Sequence, residues 1–365
     1  MTNAILITFF PTYLVSLGYS KTQIGIIFSI GPTMGIFSNL FWGFISDKYH
    51  TLKKTILAVL IGQLIVALVL FQVTAFGILF ILMTFFYFFH TPLISLNDSQ
   101  LLLHTSASGK SYASYRVWGS IGFAFSALVF GFILNLNHEN TNLIAILAIG
   151  TIILSLLLST RLRDNRSSYS KIQFSGLYEI LMSRKLLIFL LLVLIISIAH
   201  RANDAFLSLY LHELGANQSL IGLAWTVSAL SEIPIFIYLS RYGHRYKELA
   251  LLSVASLIYS VRFYLMSIAT QPYEIVAIQV LHSLSFGIFL FTAIKYMLQL
   301  VPEKFRATGQ AIFTVVWSSI AGLISSTVGG ILFDHWGGRS LYQFSALVAI
   351  IACGGFLLAY VKNEK

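Results

Sequence analysis

The chain has 365 residues, of which 57% are hydrophobic and only 10% charged, and its mean hydropathy is +0.84. A water-exposed surface needs roughly 25–35% charged residues, so the composition excludes a soluble domain and places the chain in a bilayer. The formal charge of +10 does not point to nucleic acid, because the basic residues sit in short loops between apolar runs; the single Cys353 excludes a disulfide framework or a cysteine-based metal centre.

Apolar runs long enough to cross a membrane are predicted at 1–17, 22–45, 55–74, 76–102, 112–134, 141–160, 186–211, 218–240, 249–269, 273–300, 308–333 and 341–361. No cleavable signal peptide is expected, since Met1 leads straight into an apolar run without a basic stretch before it. The polar, Ser- and Arg-containing stretch 161–185 divides the spans six and six. The fold class is therefore all-α integral membrane: a six-helix bundle over 1–160, a linker over 161–185 and a second six-helix bundle over 186–365.

Loop charge fixes the orientation. Seventeen of the 23 Lys and Arg fall on one side of this topology, two (Lys21 and Arg339) on the other, and four (Arg116, Arg201, Arg262 and Lys295) within spans. The positive-inside rule makes the rich side cytoplasmic, together with the 161–185 linker and the C-terminus. The expected location is a plasma membrane, with the lipid bilayer and a small-molecule substrate as partners, no nucleic acid, and a monomeric state.

The halves repeat. Tyr13-Leu14-x-x-Leu17-Gly18 with Ile24-Gly25 returns 197 residues later as Tyr210-Leu211-x-x-Leu214-Gly215 with Ile221-Gly222. Val117-Trp118-x-Ser120-Ile121 returns 199 residues on as Val316-Trp317-x-Ser319-Ile320, and Gly131 matches Gly330. Parallel six-helix repeats place a transport site between them. The same offset puts the start of the first span about a dozen residues before Met1, so the first helix is expected to be truncated relative to its counterpart.

Ionisable residues inside spans are costly and therefore informative. In chain order, the first is the Gly43-x-x-x-Asp47-Lys48 loop after span two, where Gly permits close helix approach and Asp47 can cap or pair; this predicts a gating latch. His90 stands beside Pro92. Asp98 and Arg116 lie at matched depth near the cytoplasmic ends of spans four and five, which predicts a cavity-facing pair; both snorkelling to the interface is the alternative. In span seven, His200 and Asp204 share a helix face, and Arg201 and Asp204 are also within pairing distance. Glu232, Arg262 and His282 lie within spans eight, nine and ten, where a carboxylate among Arg and His can exchange a proton as its partners move. Lys295 is read as snorkelling. Pro11, Pro32, Pro92 and Pro234 can kink the helices that hold them, and Tyr115, Trp118, Trp225 and Trp317 are candidates for the substrate path. There is no metal-ligand spacing, nucleotide fingerprint or soluble catalytic domain, so neither an enzyme nor a cofactor beyond a coupling proton is expected.

These motifs resemble the major facilitator superfamily, and within it the oligosaccharide/nucleoside/phenylpropionate proton-symporter branch that includes lactose permease. Gly43-x-x-x-Asp47-Lys48 resembles the superfamily loop signature. Pro92-Leu-Ile-Ser-Leu-Asn-Asp98 and Arg116-Val-Trp118-Gly-Ser-Ile-Gly-Phe resemble the branch's fourth and fifth helices, and the resemblance implies that Asp98 and Arg116 contact substrate; Trp118, as an aromatic on the path, joins them in the expected substrate-binding set. Ser-Glu232-Ile, Val-Arg262 and Leu-His282 resemble its coupling region, with Asp204 and His200 added to the expected proton-coupling set. One departure stands out: the branch carries an acid one turn after the histidine, where this chain has Ser285. The resemblance implies proton-coupled uptake of an aromatic carboxylate, nucleoside or sugar by alternating access; proton-antiport efflux and a non-transporting remnant are the alternatives.

Overall fold

The repeat is built into the backbone at two helix ends. Gly18 and Gly215 both have φ of 86°, a left-handed conformation that favours glycine. The hydrogen bonds around them match as well: Gly18 N–H to Val15 O and Tyr19 N–H to Leu14 O, then Gly215 N–H to His212 O and Ala216 N–H to Leu211 O. This is the glycine-terminated C-cap. A new helix starts at once in each copy, with the Ser20 side chain accepting from Gln23 N–H and that of Asn217 from Leu220 N–H.

A computed structural model describes residues 1–108, 112–136, 142–162, 183–302 and 305–363. Among them, every regular element is helical. Ten helical stretches are long and apolar enough to cross a membrane; the last, Thr308–Lys362, contains two arms, and Thr2–Ser16 is a shorter apolar helix. In chain order they are α1 (Thr2–Ser16), α2 (Lys21–Lys48), α3 (Leu52–Leu70), α4 (76–108), α5 (Tyr112–Leu136) and α6 (Asn142–Thr160). The second set is α7 (Arg184–Glu213), α8 (Gln218–Tyr242), α9 (Glu248–Ile268), α10 (Pro272–Leu300), α11 (306–336) and α12 (338–363).

Three boundaries differ from expectation. Helix α4 is interrupted at Thr91, between Phe76–His90 and Pro92–Ser108, because Pro92 has no N–H to continue the ladder. It also runs six residues beyond its predicted end at 102. The loop expected between spans eleven and twelve is helical throughout, broken only by Gly337 with φ 77°. Most of the predicted linker, residues 163–182, lies outside the described residues, as does the Arg116 side chain.

Lipid is as apolar as leucine, so helices in a bilayer associate through close packing and small residues. The halves meet in this way at the face opposite the basic loops. A Cβ on Gly25 of α2 would stand 2.2 Å from Ser326 O and 3.0 Å from Gly330 Cα of α11. A Cβ on Gly222 of α8 would stand 2.2 Å from Ala127 O and 3.3 Å from Gly131 Cα of α5. The repeat-related glycines thus seal the same face twice. Asp334 of α11 reinforces the first seam, accepting from Lys21 N–H (3.2 Å) and Thr22 Oγ1 (2.8 Å) at the start of α2. Thr226 Oγ1 of α8 donates to Ala124 O of α5 (3.0 Å) across the second. Between these seams and the basic face, the halves part around a cavity.

Candidate functional site

The cavity has a volume of about 520 Å³ and draws its wall from both halves. Met1, Asn3 and Ile7 come from the α1 end, Asn97 and Asp98 from α4, and Gly119, Ser120 and Phe123 from α5. The second half contributes His200, Arg201 and Asp204 from α7, Trp225 and Glu232 from α8, and His282 and Phe286 from α10. A side chamber of about 250 Å³ adjoins it, sharing Asn3, Ile7, Ile94, Arg201 and Asp204 and adding Phe28, Pro32, Tyr87 and His90.

Two chains of polar contacts run from the cavity wall into the second half. In the first, His282 Nε2 meets Glu232 Oε1 at 2.9 Å, and His282 Nδ1 meets an Arg262 guanidinium nitrogen at 3.0 Å. Arg262 is fully buried. Its other terminal nitrogen donates to Gln279 Oε1 at 2.6 Å, which also accepts from Ser228 Oγ at 3.0 Å. Among the described residues Arg262 has no carboxylate within ion-pair distance, so its nearest route to an acid runs through His282. In the second chain, His200 Nε2 lies 3.5 Å from Asp204 Oδ2, and His200 Nδ1 lies 3.2 Å from Tyr259 Oη. Arg201 donates to the same Asp204 oxygen at 3.0 Å, to Ser318 Oγ at 3.0 Å and to the Trp317 carbonyl at 3.3 Å.

Aromatic rings join the two chains. Phe286 stacks on His200 (centroids 4.7 Å apart, 10°) and on His282 (5.0 Å, 19°). Trp317 stacks on the His200 ring at 5.1 Å. Both Phe286 and Trp317 stand on π-helical turns, Ser283–Gly287 and Val315–Ile320. Such turns rotate side chains out of regular helical register and concentrate at functional sites. Arg201, by donating to the Trp317 carbonyl, ties α7 to one of them.

The five residues predicted for proton coupling, His200, Asp204, Glu232, Arg262 and His282, are therefore brought together. Asp98 lines the cavity across from them, while its predicted partner Arg116 has its side chain outside the described residues. Trp118 is 70% exposed and stands outside the cavity lining, although its neighbour Gly119 is part of it. Gly43, Asp47 and Lys48 close α2 at the basic face, where Asp47 O accepts from His50 N–H, away from the cavity. Lys295 pairs with Glu248 at 2.8 Å and donates to Gly243 O; it bridges α9 and α10 rather than snorkelling alone. His90 is a buried link, with Nδ1 2.9 Å from Gln63 Nε2 and Nε2 2.9 Å from Asn3 Oδ1. Sequence reasoning missed Ser228, Tyr259, Gln279 and Phe286, which carry no charge and so give no signal in an apolar run.

Residues 3–344 match the model described as the MFS_1 like family. The chain belongs to that family. It is a multi-pass membrane transporter of the major facilitator superfamily, not an enzyme. The maltose permease of Geobacillus stearothermophilus is 27% identical over 357 residues, covering 95% of this chain and 87% of that protein. The probable 3-phenylpropionic acid transporter of Escherichia coli (strain K12) is 22% identical over 353 residues, covering 95% and 92%. The crystal structure of the nucleoside transporter NupG superposes with a TM-score of 0.85 at 15% identity, covering 98% of this chain and 96% of that one. The expected fold, twelve helices in two related sets of six, is the superfamily fold.

Proposed function

We propose that this chain is a proton-coupled symporter of a small, neutral, hydroxyl-bearing solute, a sugar or nucleoside, with Glu232 carrying the coupling proton. The observation that carries the reading is the Glu232–His282–Arg262 chain, which puts a carboxylate on the cavity wall and a buried cation one imidazole behind it. Protonating Glu232 loosens its hold on that chain, and restoring the charge re-forms it, so proton occupancy and cavity geometry are linked.

The charges on the wall support this substrate class. Three carboxylates, Asp98, Asp204 and Glu232, face the cavity, and the guanidinium described there, Arg201, is already paired with Asp204. Carboxylates accept hydrogen bonds from sugar hydroxyls and repel a carboxylate substrate. This favours the kinds of solute named for the maltose permease and for NupG over the aromatic carboxylate named for the phenylpropionic acid relative. The seam at the opposite face leaves this conformation open toward the basic loops, which the positive-inside rule assigns to the cytoplasm.

Proteoliposomes given maltose, uridine or 3-phenylpropionate under an imposed proton gradient test the reading. Uptake of maltose or uridine should follow protons inward, and Glu232→Gln should abolish uphill uptake while sparing downhill exchange. Uptake driven by the reversed gradient would establish antiport instead, and uphill uptake surviving in Glu232→Gln would remove Glu232 from the coupling role.

A further inference from the structure

The two buried imidazoles of the cavity look alike in composition and differ in what their nitrogens face. An Arg side chain only donates hydrogen bonds. His282 Nδ1, 3.0 Å from the Arg262 guanidinium, must therefore accept, which leaves the ring's single proton on Nε2, directed at Glu232. A second proton on Nδ1 would set one N–H against another. Arg262 cannot readily turn away, since Gln279 Oε1 holds its other terminal nitrogen at 2.6 Å and Arg262 is fully buried.

His200 faces partners of the other kind. Its Nε2 points at a carboxylate oxygen, Asp204 Oδ2, and its Nδ1 at a phenol, Tyr259 Oη, which can donate or accept. Neutral His200 accepts from Tyr259 and keeps its Nε2 proton facing the Asp204 carboxylate at ion-pair range; doubly protonated His200 donates to Tyr259 and faces the same carboxylate as a cation. In neither state does a ring N–H face another donor. The rings of Phe286 and Trp317 lie against His200 at 4.7 and 5.1 Å, and aromatic faces attract a cation.

We infer that His200, not His282, is the imidazole of this cavity that takes up and releases a proton, with Asp204 and Tyr259 as its two fixed partners. Resting on the proton-coupled reading above, this adds a second proton station on α7, next to the Glu232 station on α8. The charged and titratable groups that face it are Arg201 and Asp204 on its own helix, Glu232 on α8, Tyr259 and Arg262 on α9, and His282 on α10, whose ring centroid is 6.0 Å away. Asp98 lies across the cavity on α4. With His282 held neutral, the site carries one switchable imidazole rather than two adjacent ones that would repel each other when charged. A hydronium ion in the cavity gives its proton to His200 Nδ1: one O–H bond breaks as the N–H bond forms, water is left behind, and the Tyr259 hydroxyl turns from donor to acceptor.

The test reads the histidines directly, without substrate or gradient, so its failure is separate from failure of the transport reading. The full chain, labelled with ¹³C and ¹⁵N in its nine histidines and reconstituted in lipid nanodiscs, is titrated by NMR between about pH 5 and pH 9. Loss of a resonance in His200→Gln and in His282→Gln identifies the two rings. The expected result is that His200 moves between neutral and doubly protonated shifts while His282 keeps the Nε2–H signature throughout. Tyr259→Phe removes one acceptor of the charged ring and should weaken proton binding at His200 about tenfold, leaving His282 unchanged; this variant also confirms the assignment independently of His200→Gln. Arg262→Met should release Nδ1 and make His282 titrate. A titrating His282 beside a silent His200, or two silent rings, overturns the inference.

Discussion

Adding one methyl group at Gly222 or at Gly25 tests whether the two glycine seams set the resting conformation. At Gly222 the new Cβ would stand 2.2 Å from the Ala127 carbonyl oxygen, and at Gly25 2.2 Å from that of Ser326. Both obstacles are backbone atoms, so no rotamer change relieves them and the helices must separate locally by roughly 1 Å. Overpacking of this kind costs about 1–3 kcal/mol. The conformation with the seam parted does not bear that cost, and the gain in helix propensity from Gly to Ala is common to both conformations. The equilibrium should therefore shift about 5- to 150-fold toward opening at the face away from the basic loops. Spin labels at Gln72 and Tyr273, one in each half on that face and both exposed, report the change as a longer distance population. Gly150→Ala on α6, where nothing lies within 4 Å of the added methyl, is the control. Seam variants with the distance distribution of Gly150→Ala would refute the role given to the glycines.

Asp334→Ala removes both acceptors at the start of α2; loss of a helix cap costs about 0.5–2 kcal/mol, so the same spin pair should show partial opening, with Asp334→Asn, which retains one acceptor, showing less. His90→Leu leaves Gln63 Nε2 and Asn3 Oδ1 without the partner each now has. At about 1–3 kcal/mol per buried unpaired group, the thermal midpoint in detergent should fall measurably, and an unchanged midpoint would show that water replaces the ring.

The parts of this fold visible in the sequence were those that a bilayer makes expensive. Asp204, Glu232, Arg262 and His282 stood out because each interrupts a long apolar run, and each proves to belong to the hydrogen-bonded chains around the cavity. The two repeat offsets located Gly25 with Gly222 and Gly131 with Gly330, and these same four glycines form the seams. The pairing across the seam was not visible, because Gly25 meets Gly330 rather than its own repeat mate. Tyr259, Gln279 and Ser228 were missed because an uncharged polar residue in a membrane helix is ordinary. Phe286 and Trp317 reach His200 from π-helical turns, and a pattern read at 3.6 residues per turn does not anticipate that change of register. The pairing of Lys295 with Glu248 was not legible, because Glu248 lies on the preceding helix, beyond the reach of any local spacing rule.

The scaffold is used symmetrically for closure and asymmetrically for chemistry, and α8 is where the two uses meet. Gly222, near one end of α8, packs on α5 of the other half; Glu232, ten residues further, bonds to His282 of α10 within its own half. At 1.5 Å per residue the two points are about 15 Å apart on one rod. Pro234 follows Glu232 by two residues and lacks the N–H that would bond the carbonyl of Leu230, so the rod is least braced beside the carboxylate. Arg262 meets the imidazole from behind at 3.0 Å and is itself held by Gln279 at 2.6 Å, whereas Glu232 meets the ring's other nitrogen at 2.9 Å from the cavity side. Rocking of the halves about the Gly222 seam moves α8, and Glu232 to His282 is the contact through which that movement reaches α10. On the symport reading, that is the bond a proton on Glu232 weakens, which makes the same 2.9 Å contact the point at which proton binding and helix movement act on each other.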